Sequence, residues 1–263
     1  MKFSILINTH NQEDYIIKAI NSCRNQIFKN YEVIICDSSD KKINSNFTKI
    51  IKKENIKYFH IKQKYNQPEK NQMYKVLLGF KKSKGNFICL LDGDDFFSKK
   101  KLSNLDNLIS KKKLLFNQDN PILINKKINK NNKIKKYKNN FIFNFLINEW
   151  PQIYGTSSIV VNRKILEKFF RKVKPFYWKF LAIDVQLILF CKSNNLYNNF
   201  EEKITYKNLH QNNLGSTYLS IFKKKFWSRR YMQHKYYHFI NKNKNINLDY
   251  LVTTIIYFFI KFL

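Results

Sequence analysis

Glycine is scarce in this chain, with five residues in 263. Neither GxGxxG nor GxxxxGK[ST] occurs, which excludes the glycine-rich turns that cradle a dinucleotide or a nucleoside triphosphate. Cysteine is equally sparse. Cys23, Cys36, Cys89 and Cys191 are scattered without a CxxC pair or other metal spacing, so a zinc module is excluded. Three of them sit in apolar or helix-like stretches, as reduced core thiols do, and this points to a reducing compartment. Met1 leads straight into a strand-like segment, Phe3 to Ile7, so no signal peptide is expected.

Acids are the third shortage. Only 18 Asp and Glu stand against 49 Lys and Arg, a formal net charge of +31. Such an excess points to nucleic acid, an anionic membrane or phosphorylated substrates. Abundant Lys, Asn and Ile also fit an AT-biased genome, although that bias does not account for the missing acids. No helix-turn-helix, RNP or zinc-finger pattern appears. Apolar residues make up 44% of the chain, with 24 Phe and 16 Tyr, so there is material for a core and no case for global disorder. The length suits one large domain, or one domain with an appended subdomain.

Against this scarcity, three acids fall within four residues. The stretch Asn86-Phe87-Ile88-Cys89-Leu90-Leu91-Asp92-Gly93-Asp94-Asp95 is an apolar run of strand length ending in carboxylates. A continuous apolar run suits a strand buried on both faces, as in a parallel sheet. Ligands of such sheets bind beyond the carboxyl ends of the strands. Crowded like charges repel, so a bound cation is the simplest reason to keep them ionised. Gly93 lets the backbone turn sharply enough for Asp92 and Asp94 to face one point. The alternative is a solvated acidic turn with Asp95 capping a helix.

Upstream, Phe3 to Ile7 reads as a strand, Glu13 to Gln26 as a helix with Tyr15, Ile16, Ala19, Ile20 and Cys23 at helical spacing, and Tyr31 to Cys36 as a second strand. This β–α–β order demands a parallel pair with a right-handed crossover. A third strand is expected at Ile56 to Ile61, then a polar loop and a helix from Gln72 to Lys82. Polar or acidic residues follow three strands at one sheet edge: Thr9 and His10, then Asp37, then Asp92 and Asp94.

Asn8-Thr9-His10-Asn11, the strand end at Asp37, Lys84-Gly85-Asn86-Phe87-Ile88 and Leu91-Asp92-Gly93-Asp94-Asp95 together resemble the successive motifs of family 2 glycosyltransferases. The resemblance is clear over residues 1–102 and thinner, but continuous, to about 217. It implies a GT-A fold, an α/β architecture with a Rossmann-like, mostly parallel sheet flanked by helices and here a helical C-terminal extension. It also implies a nucleotide-sugar donor, a divalent metal (Mn2+ or Mg2+) and inversion at the anomeric carbon. By position, Thr9 and Asp37 would contact the nucleobase and His10 would pack against it, while Asn11, Gln72 and Gly93 would line the donor. Asp92 would bind ribose or assist the metal, and Asp94 would ligate it. Gly155 falls in a segment, Gly155 to Ser158, that lines donor sugar and acceptor in the family. Departures are Asn8 where the family usually has Pro, His10 where it usually has Tyr, and Asp37-Ser38-Ser39-Asp40 in place of Asp-Asp-Gly-Ser.

Further along, residues 126–138 hold seven lysines and no acid, as a solvated insertion would. Asp184 stands alone in the apolar helix-like segment Phe180 to Phe190, where a carboxylate is costly unless paired or functional. The resemblance makes it the catalytic base, with Ile183 where the family often has Glu; the alternative is a solvent-facing N-cap. His210 lies in a loop that resembles the family's His-Xaa-Xaa-Asn-Xaa-Ser, and as in some relatives it would complete the metal or diphosphate site; the alternative is an ordinary polar contact. From Lys203 to Leu248 there are ten Lys or Arg and no acid, interleaved with aromatics. The terminal Leu248 to Leu263, at 16 residues, is short of the roughly 20 that span a bilayer and reads as a docking or interfacial helix, with a helix that closes the catalytic domain's own core as the alternative.

The expected organisation is a catalytic domain over 1–217 (nucleotide-binding half 1–102, basic insertion 103–140, acceptor-binding half 141–217) and a basic aromatic helical region over 218–263. The expected activity is transfer of a hexosyl or N-acetylhexosaminyl unit to a glycan or lipid-linked acceptor in cell-surface polysaccharide synthesis (lipopolysaccharide, capsule or O-antigen). The expected place is the cytoplasm, with a peripheral position on the inner face of the plasma membrane left open and no nucleic acid as partner. The alternatives are a nucleic-acid-binding protein, favoured by the basic aromatic C-terminal third, and a non-catalytic relative that keeps the fold as a partner.

Overall fold

The computed structural model describes residues 1–41, 51–52, 56–124, 150–209, 222–242 and 247–262. The lysine-rich tract 126–138 and His210 lie outside them. In chain order the elements are β1 (Phe3–Thr9), α1 (Glu13–Arg24), β2 (Tyr31–Asp37), β3 (Lys57–His60), α2 (Pro68–Lys82), β4 (Phe87–Asp92), β5 (Phe96–Phe97), α3 (Lys101–Lys112), β6 (Phe116–Asp119) and β7 (Ile122–Ile124). They continue with β8 (Ile159–Asn162), α4 (Arg163–Val173), α5 (Ile183–Ser193), β9 (Asn199–Phe200), β10 (Thr205–Asn208), α6 (Lys224–Asn241) and α7 (Leu248–Phe262).

A seven-stranded sheet has the order β3-β2-β1-β4-β8-β6-β9, and β5-β10-β7 form a second, smaller sheet. Strands β3, β2, β1 and β4 are parallel, with Thr9 opposite Asp37 and Asn8 opposite Asp92. The run that ends in the acids is therefore the middle strand, as its unbroken apolar character predicts. The sheet reverses at β8, which pairs antiparallel with both β4 and β6. That reversal carries the start of β8, and the turn 156–158 before it, to the edge where β1, β2 and β4 end.

Alternation along the strands divides the core into two layers. Leu6, Ile34, Ile88 and Leu90 face Met73 and Val76 of α2 and Val185 to Cys191 of α5. Ile5, Ile7, Val33, Ile35, Cys89 and Leu91 face Ile16, Ala19, Ile20 and Cys23 of α1 and Leu102 and Leu105 of α3. The four cysteines are all buried free thiols. Helix α2 begins one turn before the Gln72 start read from the sequence. Pro68 occupies its first turn and Glu69 adds an acid there, so a stretch that reads as polar loop is in fact a helix N-terminus.

At the far end, α6 docks on the main body. Tyr236 is fully buried, its hydroxyl donates to the Gln186 carbonyl at 2.7 Å, and its ring meets Trp178 edge-on at 5.1 Å. Helix α7 then folds back antiparallel on α6, with Tyr257 against Tyr231 and Tyr250 against His238.

Candidate active site

The centre of the site is Asp92, half-buried at the end of β4. Gln72 of α2 donates from Nε2 to Asp92 Oδ1 at 3.0 Å and to Thr156 Oγ1 at 3.0 Å. The Asp92 backbone N–H donates to Ser157 Oγ at 3.0 Å. Burial first, then the charges of Asp94, Asp95 and Asp184, push the Asp92 carboxyl up to about 8, with the Gln72 bond acting the other way. Asp184, half-buried in the first turn of α5, is thus within electrostatic reach of the β4 acids. Its Oδ1 accepts the neighbouring Val185 N–H at 2.8 Å.

The three clustered acids do different work. Asp94 is half-buried in the turn after β4. Asp95 is buried and turned inward, accepting the Ser157 hydroxyl at 2.6 Å and the Asn208 N–H at 2.9 Å, so it ties the acidic turn to β10. Burial raises its carboxyl to about 6. Gly93 leaves no room for a side chain, because a Cβ there would stand 2.7 Å from both Thr9 Oγ1 and Gln12 Oε1. The turn is held against the end of β1 by that close approach and by the Gly93 N–H to Asn8 carbonyl bond of 2.9 Å.

The β1 and β2 ends are laced together. Asp37 is buried; its Oδ1 accepts from Ser39 N–H at 2.8 Å and Ser39 hydroxyl at 2.6 Å, and its Oδ2 accepts from Tyr58 at 2.8 Å. His10 Nδ1 lies 2.8 Å from the Ser38 carbonyl, and Gln63 Nε2 lies 2.9 Å from His10 Nε2. Asn11, in the left-handed region at φ 51°, donates to Asp40 Oδ2 at 2.8 Å and accepts the Asp40 N–H at 3.0 Å. Thr9 presents its hydroxyl to Gln12 and its carbonyl to Lys75. Gly155, at φ 107°, precedes the 156–158 turn, and its Cα faces Lys207 Nζ so closely that a Cβ would stand 2.5 Å from it.

The structure therefore brings Thr9, Gln72, Asp92, Gly93 and Asp94 to one edge with Asp184 in reach, and Gly155 beside them through Thr156. His10, Asn11 and Asp37 form the adjoining wall. Two groups went unnoticed in the sequence. Lys75 of α2 is buried, donates to the Thr9 carbonyl at 2.8 Å, and feels the charges of Asp92 and Asp37 while burial lowers its ammonium to about 8. It lies one turn beyond Gln72 on the same helical face, which is the signal that could have revealed it. Ser157 binds Asp92 and Asp95 at once; its own position is set by Lys101, whose buried Nζ donates to the Ser157 carbonyl at 3.1 Å.

Carboxylates at the end of β4 suit a hard divalent cation. Among the described residues no three His, Cys, Asp or Glu side chains gather as a closed metal cage. A Mg2+-like site needs only one or two carboxylates beside substrate phosphates and water, and Asp92 and Asp94 could supply those. The raised Asp92 carboxyl and the buried, unpartnered Oε1 of Gln72 beside it fit the same reading. A groove of about 530 Å3 between Trp178, Phe239 and Tyr250 shares no residue with this cluster.

The description "Glycosyl transferase family 2" matches residues 4–170. An uncharacterized glycosyltransferase of Rickettsia conorii is 33% identical over 127 residues, 48% of this chain and 20% of that protein. The Escherichia coli β-1,3-glucosyltransferase WfaP, whose name gives UDP-Glc and a diphosphoundecaprenol-linked GlcNAc, is 31% identical over 117 residues, 44% of this chain and 45% of that one. The chain thus spans half or less of the curated relatives it matches. Among solved structures, Staphylococcus aureus TarS 1–349 with UDP superposes with a TM-score of 0.63 at 17% identity, covering 98% of this chain and 70% of that one. A Pyrobaculum calidifontis mannosyltransferase with GDP-Man and Mn2+ gives 0.57 at 9% identity, covering 98% and 69%. Those superpositions identify the architecture as GT-A, and with the motif match over more than half its length the chain belongs to glycosyl transferase family 2.

Proposed function

We propose that this chain transfers a sugar from a nucleotide-diphosphate sugar to a hydroxyl of a glycan or lipid-linked acceptor, with inversion at the anomeric carbon. The observation that carries the reading is that Asp92, beside Asp94 at the end of the middle strand, lies close enough to Asp184 at the start of α5 to feel its charge. The acceptor class is supported by the relatives: WfaP is named for a diphosphoundecaprenol-linked substrate, and TarS for poly(ribitol phosphate). A place in cell-surface glycan synthesis follows from the same names.

Thr9 and the wall of His10, Asn11 and Asp37 would receive the nucleobase. Asp37 does so indirectly, since its oxygens are committed to Ser39 and Tyr58 and fix the shape of that wall. Asp94, with Asp92 oriented by Gln72, would hold the divalent cation, Mn2+ or Mg2+. When bound, such an ion neutralises charge on the leaving diphosphate. Asp184 takes the proton from the acceptor hydroxyl as its oxygen attacks the anomeric carbon from the face opposite the leaving group. General base help of this kind is worth about 10²–10⁴ in rate.

Asp184→Asn is expected to abolish turnover while leaving donor affinity, measured by titration calorimetry, nearly unchanged. Asp94→Ala is expected to lose donor binding in the presence of Mn2+. Turnover at the wild-type rate in Asp184→Asn would remove the base assignment, and Mn2+-dependent donor binding that survives Asp94→Ala would remove the metal assignment.

A further inference from the structure

Helix α7 has one face too many. Its inner face is spent on α6: Tyr257 stacks on Tyr231 at 4.2 Å, Tyr250 stacks on His234 at 5.1 Å, Thr253 is buried, and Asp249 accepts from Arg230 at 2.6 Å. The outer face carries Leu248, Leu251, Val252, Ile255, Phe258 and Phe259, each 43–70% exposed. These positions recur at helical spacing and form a single stripe along the helix. Of the α7 side chains described, Lys261 is the one exposed residue that is not apolar. A contiguous exposed patch of this kind marks an interaction surface.

Charge selects the occupant. Because α6 and α7 run antiparallel, with His238 against Tyr250 and Tyr231 against Tyr257, the start of α6 lies toward the end of α7; Lys223, Lys224 and Lys225 are exposed at the one and Lys261 at the other. A second copy would bring together two chains of net charge +31. An anionic bilayer instead attracts the lysines and accepts the apolar stripe at the level of its headgroups. At 15 residues α7 is about 22 Å long, and no described helix is long and apolar enough to cross a membrane. We infer that α7 lies in the plane of an anionic lipid surface, inserting the Leu251–Ile255–Phe259 stripe between headgroups while the lysines at the start of α6 meet lipid phosphates.

The test is co-sedimentation of the full chain with equimolar phosphatidylglycerol and phosphatidylcholine vesicles, with phosphatidylcholine alone as reference. Leu251→Ser/Ile255→Ser/Phe259→Ser keeps every charge and should weaken partition by about tenfold or more, with the main thermal transition retained because none of the three side chains belongs to the buried core. Lys223→Glu/Lys224→Glu/Lys225→Glu should weaken it as well and flatten its salt dependence. Phe259→Trp should give blue-shifted emission quenched by brominated acyl chains. Equal binding of the triple-serine variant would mean that charge alone holds the protein to lipid and would overturn the inference. A concentration-dependent dimer by light scattering, dispersed by the same substitutions and without vesicle binding, would overturn it too.

Discussion

Replacing Lys101 by Met should be among the most damaging single changes in this fold. Lys101 is fully buried, and its ammonium stands 2.7 Å from Asp119 Oδ1, 2.6 Å from Thr205 Oγ1 and 3.1 Å from the Ser157 carbonyl, with the Phe97 ring centroid at 4.2 Å. Asp119 is equally buried, and burial raises its carboxyl above the usual range despite the adjacent Lys101 charge. Methionine fills the volume but leaves Asp119 charged and unpaired, a loss of about 3–5 kcal/mol for breaking one side of a buried pair. In a protein of this size that is a drop in Tm of roughly 6–20 °C. Urea unfolding and thermal melting at neutral pH would measure it. The deficit should shrink as pH is lowered, because Asp119, raised by burial and no longer held down by Lys101, takes up a proton. Lys101→Met/Asp119→Leu should recover most of the loss, since an apolar pair of similar volume is often neutral. A single variant within about 1 kcal/mol of wild type, or a double variant as unstable as the single, would refute the reasoning.

Three further outcomes are expected. Asp92 has a folded value of about 8 against an ordinary 3.8, so its contribution to stability is full below about 4 and is lost as pH rises through 8; Asp92→Asn should flatten the stability–pH curve in that window by up to about 1.4 kcal/mol per unit, read from urea unfolding at successive pH values. Gly85→Ala would place a Cβ 2.5 Å from the Ser4 backbone nitrogen and 2.6 Å from the Phe3 carbonyl carbon, and should cost about 1–3 kcal/mol in thermal melts by pushing β1 from the loop before β4. Asp249→Asn removes the carboxylate that Arg230 and buried His234 share, so hydrogen exchange along α7 should accelerate while that of β1 and β4 is unchanged.

The parallel half of the sheet and its acid-bearing edge were legible because strand and helix periodicities are local signals. Ile16, Ala19, Ile20 and Cys23 mark the buried face of α1, and Phe87 to Leu91 mark a strand covered on both sides. Asp184 was legible for a different reason, as a lone charge in an apolar helix. What did not show was anything that depends on one element approaching another. Lys75 reads as one lysine among many, and only the register of β1 and β2 under α2 makes it the cation between Asp37 and Asp92. Ser157 lies in a run of small residues, and its two hydrogen bonds, accepting from the Asp92 N–H and donating to Asp95, exist only because β8 runs antiparallel to β4. Asp95, adjacent to Asp92 and Asp94, could not be told from them until its inward bonds to Ser157 and Asn208 were seen.

The serine at 157 has a consequence for anyone recombining this chain with its relatives. Splicing is tempting between residues 97 and 155, where one could keep the strands that end in the acids and graft a new second half. Such a junction would divorce the acids of the β4 turn from the hydroxyl that steadies two of them and from the carbonyl that Lys101 grips. Chimeras should therefore be joined beyond Ser158, and swaps made earlier should arrive with a loosened β4 turn even when the grafted piece folds well.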